Sequence, residues 1–279
     1  MMPKLADEQS YAENGIPNFL TPDAFRISWS EYQAEMLKEV NRMVSNEGTL
    51  ENDSLQTVIL KSARDPAKAA LFNHASMAWN NHMFFKGLTK EPVPIPRPTS
   101  DAIASSFGSL DSLRSTFIET AAAMFGPGFV WLVRRRGRSP TDRHDLSIVS
   151  TYLAGSPLPE AHYRRQPVDM NTQPQGSGAP PVDDTERARL TQVQNTAGAV
   201  GPYAAGGNAG TVAKRPALGG VELIPLACVN TWEHVWLPDW GIAGKRWYLE
   251  RWWELIDWNE VDRLANFDST KYMYVDSRG

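Results

Sequence analysis

The chain has 279 residues, 42% of them hydrophobic, and ten tryptophans, enough to bury a sizeable core. A formal net charge of −4 excludes a surface that binds nucleic acid over most of its extent, leaving room for a locally basic contact only. The lone Cys228 excludes an intramolecular disulfide and fits a reducing compartment, and no apolar run approaches the roughly 20 residues needed to cross a bilayer.

Residues 1–20 are polar and read as an irregular N-terminal segment; they carry Asp7 and Glu8, with no Arg-rich amphipathic targeting pattern. Thr21-Pro22-Asp23 is a helix start: a hydroxyl cap, a proline with preset φ and an acid in the first turn. Trp29, Tyr32, Met36, Val40 and Met43 follow at three- and four-residue spacing and give one apolar face. After a weaker helical or loop stretch at 48–60, a second long helix runs from about 66 to 87 with Leu71, His74, Ala78, Asn81 and Phe85 on one stripe. These two helices make a hairpin over 21–91, closed by a stiff Pro-rich linker at 92–99.

A C-terminal unit spans 100–279. Leu110, Leu113, Phe117, Ala121 and Met124 share a helix face, which Gly126 would stop as a left-handed cap. Residues 129–135, 146–152 and 222–229 are strand candidates, rich in β-branched and aromatic side chains, and 245–256 and 259–265 read as closing helices. Between the second and third strands lies a low-complexity insertion, 157–220, dominated by Pro, Gly, Ala, Gln and Asn. Such a composition cannot bury enough apolar area to offset its ordering entropy, so it is either a solvated insertion or a segment that folds against a large assembly.

The clearest charge cluster is Arg134-Arg135-Arg136-Gly137-Arg138, followed by Arg143. Its two readings are a solvated turn and a contact to the phosphate backbone of rRNA, where clustered arginines position without reading sequence.

In order and spacing, four blocks resemble the iron/manganese superoxide dismutase family: Phe72-Asn73-His74-Ala75 with Trp79-Asn80; Phe125 to Val133; Pro225-Leu226 with Trp232-Glu233-His234; and Trp252-Trp253 with 256–261. The resemblance implies an α+β fold, a long helical hairpin followed by an α/β unit with a three-stranded antiparallel sheet. It also assigns the family's four metal ligands to Ser28, Asn81, Asn230 and His234. Only the last is a histidine, and a redox metal needs basic, deprotonatable ligands, which a hydroxyl and two neutral carboxamides are not. A tyrosine and a histidine that help gate the family's substrate funnel fall at Met36 and Tyr32, and a glutamine that some members place on the second helix falls at Met77.

The resemblance therefore implies a chain that is no enzyme and takes no metal and no cofactor. Within the family it is similar to the catalytically inactive dismutase-like proteins of the fungal mitochondrial small ribosomal subunit. That implies a structural role in mitochondrial translation and a matrix location. The implied partners are other small-subunit proteins, a second dismutase-like chain foremost, and rRNA at the arginine run; no membrane is involved. Pairing would run through the turn carrying Trp232, Glu233, His234 and Trp236, since aromatics of this size are common interface anchors. Two other readings stand beside this one: a metalloenzyme with a relocated site built on His74, His82 and His234, and a free-standing pseudoenzyme that binds another protein.

Overall fold

In the computed structural model, residues 4–45, 50, 52–63, 65–136, 146–158, 161 and 222–266 are described, the side chains of Arg136 and Glu222 excepted. The first long helix begins where expected: Thr21 Oγ1 accepts the Ala24 N–H, and Pro22 occupies the first turn. It then runs as α2 (Pro22–Phe25), a π-helical segment (Arg26–Glu31) and α3 (Tyr32–Ser45). After α4 (Leu55–Ser62), capped by Ser54, the chain returns through a 3₁₀ turn into α5 (Ala69–Lys86). Most of α5 is buried, on nearly every side, because α3, α4 and the sheet enclose it.

The N-terminal segment is not wholly irregular. Helix α1 (Glu8–Asn14) buries Tyr11, whose hydroxyl donates to Leu88 O at 3.4 Å and whose ring meets Phe25 edge-on. Gly15 turns the chain at φ 73°, where a Cβ would stand 2.3 Å from Leu20 O, so only glycine fits. The strap that follows is clasped from outside: Thr21 donates twice to Asp239, Trp240 Nε1 to Phe19 O, and Arg251 to Pro17 O. Sequence reasoning missed this because short apolar insertions (Leu5, Tyr11, Ile16, Phe19) are spread among polar residues, and their burial depends on distant elements.

The expected linker at 92–99 is shorter than its prolines imply. Helix α6 (Arg97–Phe107) starts inside it, with Pro98 in the first turn, where a missing N–H costs nothing. Gly108, at φ 80°, ends that helix in the left-handed region. Helix α7 (Leu110–Ala123) ends instead when Met124 turns extended at ψ 116°; Gly126 has no positive φ, which corrects its reading as a left-handed cap. Leu113, Phe117, Ala121 and Met124 are buried, while Leu110 at the helix start is exposed.

The sheet is antiparallel in the order β2 (Leu146–Tyr152), β1 (Gly128–Arg136), β3 (Glu222–Asn230). Its register slips between Leu132, opposite Ala227, and Val133, opposite Pro225. A bulge there accommodates a proline that has no N–H to give to the ladder. Three helices close the fold: α8 (Glu233–Trp240), α9 (Lys245–Glu254) and α10 (Trp258–Ala265), the last capped by Asp257.

One apolar core runs from the helical hairpin (Phe25, Trp29, Phe85) through the sheet (Phe129, Trp131, Val229) to the closing helices (Tyr248, Trp252, Val261). Backbone bonds stitch the end of the hairpin to the closing helices, Thr89 N to Leu255 O and Asp257 N to Gly87 O, each at 2.9 Å. A second cluster packs Val40, Val44, Ile59, Leu71 and Phe72 against Leu158 and Ala161. The first residues of the expected insertion are thus core, and the remainder of 157–220, save these, lies outside the described residues.

Candidate functional site: a buried amide cluster

Asn81 projects from the middle of α5, fully buried, into the cleft between that helix and the π segment. A π turn breaks the regular ladder and leaves carbonyl capacity unused; Asn81 Nδ2 donates to the carbonyl of Ser28 within it at 3.0 Å. The second hydrogen of Nδ2 goes to Gln33 Oε1 at 3.2 Å, and Gln33 in turn donates to Ala78 O at 2.9 Å. On the other side Asn81 Oδ1 accepts from Asn230 Nδ2 at 3.3 Å, and Asn230 Oδ1 accepts the Trp232 N–H at 2.9 Å. The hydroxyl of Ser28 folds back onto Ala24 O at 2.6 Å and takes no part.

Ser28, Asn81 and Asn230, which the sequence placed in one centre, are therefore brought together, and each is fully buried. Gln33 is the member that sequence reasoning missed. Its signal was position, four residues after Trp29 on the buried stripe, but a count of apolar residues passes over it.

His234, on the first turn of α8, stacks on Tyr32 with ring centroids 4.3 Å apart and lies 5.8 Å from the Trp232 ring. Burial pulls its pKa down to about 4 and pushes the Tyr32 hydroxyl up to about 12, so both rings are neutral over the physiological range. His234 Nε2 and Trp232 Nε1 are sealed from solvent without a hydrogen-bond partner among the described residues. The other two histidines among the described residues lie elsewhere. His74 sits on the outer side of α5 with Nδ1 2.8 Å from Ala70 O, and His82 lies against Trp29 at 6.0 Å. Among the described residues no three His, Cys, Asp or Glu side chains are grouped to hold a metal ion. The centre does not fit iron or manganese either: its carboxamides are neutral and already committed to one another and to backbone carbonyls.

The expected interface anchors are mostly spent inside the chain. Trp236 is 6% exposed and donates to Thr231 O, and Trp240 donates to Phe19 O. Trp232 is half-buried, and Glu233 is exposed. Beside them a groove of about 710 Å³ is lined by Met36, Phe72, Met77, Tyr152, Leu153 and Trp232, of which Tyr152 and Leu153 are well exposed.

The arginine run divides likewise. Arg134 is 5% exposed and donates through Nη1 to the carbonyls of Ala265 and Asn266, at the C-terminus of α10. A cation there complements the helix dipole, so Arg134 is a buried helix cap and no surface contact. Arg135 is exposed. The side chain of Arg136, with Arg138 and Arg143, lies outside the described residues.

Comparison with known proteins agrees with this architecture. The sequence pattern of the C-terminal domain of iron/manganese superoxide dismutases matches residues 96–169 and 209–264. The iron superoxide dismutase of Leptolyngbya boryana is 32% identical over 144 residues, covering 51% of this chain and 68% of that protein. The chain belongs to the iron/manganese superoxide dismutase family. Other relatives match the chain over almost its whole length. Small ribosomal subunit protein mS42 of Schizosaccharomyces pombe is 26% identical over 269 residues, 92% of either chain. Small ribosomal subunit protein mS43 of the same organism is 27% identical over 265 residues, 91% of this chain and 81% of that protein. In this dismutase-family fold the amide cluster occupies the junction of the hairpin, β3 and the turn after it.

Proposed function

We propose that this chain is a structural constituent of the small subunit of the mitochondrial ribosome, a dismutase fold kept for its shape in the mitochondrial matrix. Its four ligand positions are Ser28, Asn81, Asn230 and His234, three of them replaced. The observation that carries the reading is the amide cluster: a fold whose catalytic centre has become a set of neutral carboxamides bonded to one another and to backbone carbonyls offers a redox metal no basic ligand set and performs no dismutation. Similarity to two small-subunit ribosomal proteins over more than nine-tenths of the chain supports the same conclusion.

On this reading the chain pairs with a second dismutase-like subunit across the groove lined by Met36, Met77, Tyr152, Leu153 and Trp232, with the exposed Glu233 as its polar contact. Arg135, Arg136, Arg138 and Arg143 are left for rRNA or a neighbouring protein. Sedimentation of mitochondrial lysate at ribosome-preserving magnesium is the test. The tagged chain is expected to travel with the small subunit and to leave it when the particle is dissociated. Migration as a free protein or a small complex, in lysate whose ribosomes are intact, would favour the free-standing pseudoenzyme.

A further inference from the structure

We propose that the edge of the amide cluster holds one water molecule, bound between His234 Nε2 and Trp232 Nε1. Both atoms are sealed from solvent and neither has a partner among the described residues, although the two rings lie only 5.8 Å apart. Buried polar groups in folded proteins are almost always hydrogen-bonded, to protein or to ordered water. The neighbouring amides do not supply either bond. Asn81 Nδ2 has given its two hydrogens to Ser28 O and Gln33 Oε1, and Asn230 Oδ1 already accepts from Trp232 N. Asn230 Nδ2 gives one hydrogen to Asn81 Oδ1, and neither its second hydrogen nor the second lone pair of Asn230 Oδ1 is bonded to either ring nitrogen.

The chemistry of the two atoms selects the guest. An indole N–H can only donate, so it repels a metal cation and cannot ligate one. A neutral imidazole offers Nε2 as acceptor when its proton is on Nδ1, and supplies no positive charge to hold an anion. The guest must therefore be neutral, small, and both donor and acceptor. Water donates to His234 Nε2 and accepts from Trp232 Nε1. Held this way, it ties the Trp232 ring in the turn after β3 to the stack of His234, on α8, against Tyr32, on α3.

The proposal rests on the metal-free reading of the centre but not on ribosome membership. A crystal structure at a resolution that shows ordered water, with anomalous data at the iron and manganese edges, tests it. The expected result is one density peak within hydrogen-bonding distance of both atoms and no anomalous signal. Blank density overturns the water site alone, whereas an anomalous peak overturns the metal-free reading with it. In solution, His234→Phe and Trp232→Phe are each expected to lower the melting temperature by about 2–4 °C. The double variant should lose less than the sum, because one water serves both. Unchanged or raised melting temperatures in both single variants would contradict the proposal.

Discussion

Asn81 spends both amide hydrogens and its carbonyl on three different segments of the chain, and its loss strands groups on all of them. Asn81→Ala leaves Gln33 Oε1, Ser28 O and Asn230 Nδ2 buried with fewer partners. It is expected to cost about 2–4 kcal/mol in urea unfolding, at one to three per stranded group with partial relaxation. Ser28→Ala, which removes only a back-bond to its own helix, is expected to cost less than about 1 kcal/mol. His234 gives a pH dependence. Its folded pKa of about 4 lies below the ordinary 6.5, so the unfolded chain binds more protons in between. Its contribution is complete above about pH 6.5 and is lost as pH falls towards 4; His234→Phe should flatten that part of the stability profile. Asn81 and Asn230 could be placed because they stand beside the Trp79-Asn80 and Trp232-Glu233-His234 motifs, and Ser28 through Ile27 and Val40-Asn41. Gln33 could not, because burial of a polar side chain leaves no trace in a hydrophobic pattern.

At the scale of elements, the strands and the long helices could be read almost to the residue, since their periodicity is set by burial of whole faces. The π segment at Arg26–Glu31 could not, because nothing in its sequence distinguishes an extra residue per turn; Asn81, from another helix, meets the carbonyl at its centre. The role of Arg134 was hidden for a related reason. β1 is covered on both faces, so its alternation does not reveal which arginine turns inward, and the end of α10 that receives the guanidinium lies 131 residues further along the chain. The expected consequence is a clean split. Arg134→Met should destabilise by about 1–3 kcal/mol, the range for a charge-assisted bond, while Arg135→Ala should stay within about 0.5 kcal/mol. Equal effects of the two substitutions in thermal unfolding would count against the helix-cap assignment.

For the whole molecule, the division into a hairpin and an α/β unit describes the order of the sequence better than its mechanics. A continuous core crosses the boundary, and Leu158 and Ala161, from the start of the expected insertion, pack beneath α4 and α5. Replacing residues 162–220 by a short Gly/Ser linker is therefore expected to leave the unfolding transition nearly unchanged, as closure entropy grows only logarithmically with loop length. Moving the cut back to 157 removes Leu158 and should cost about 2–4 kcal/mol, in the range of a Leu→Ala core deletion. A large loss from the shorter replacement would mean that the insertion covers the core. The claim on which everything else depends is that an amide network stands where a dismutase keeps its metal. Elemental mass spectrometry of the chain purified from its native source, with iron and manganese both supplied during growth, tests this most directly. The amide centre predicts far less than one iron or manganese per chain, with no change in His234→Ala; about one redox metal per chain, lost in His234→Ala, would contradict it.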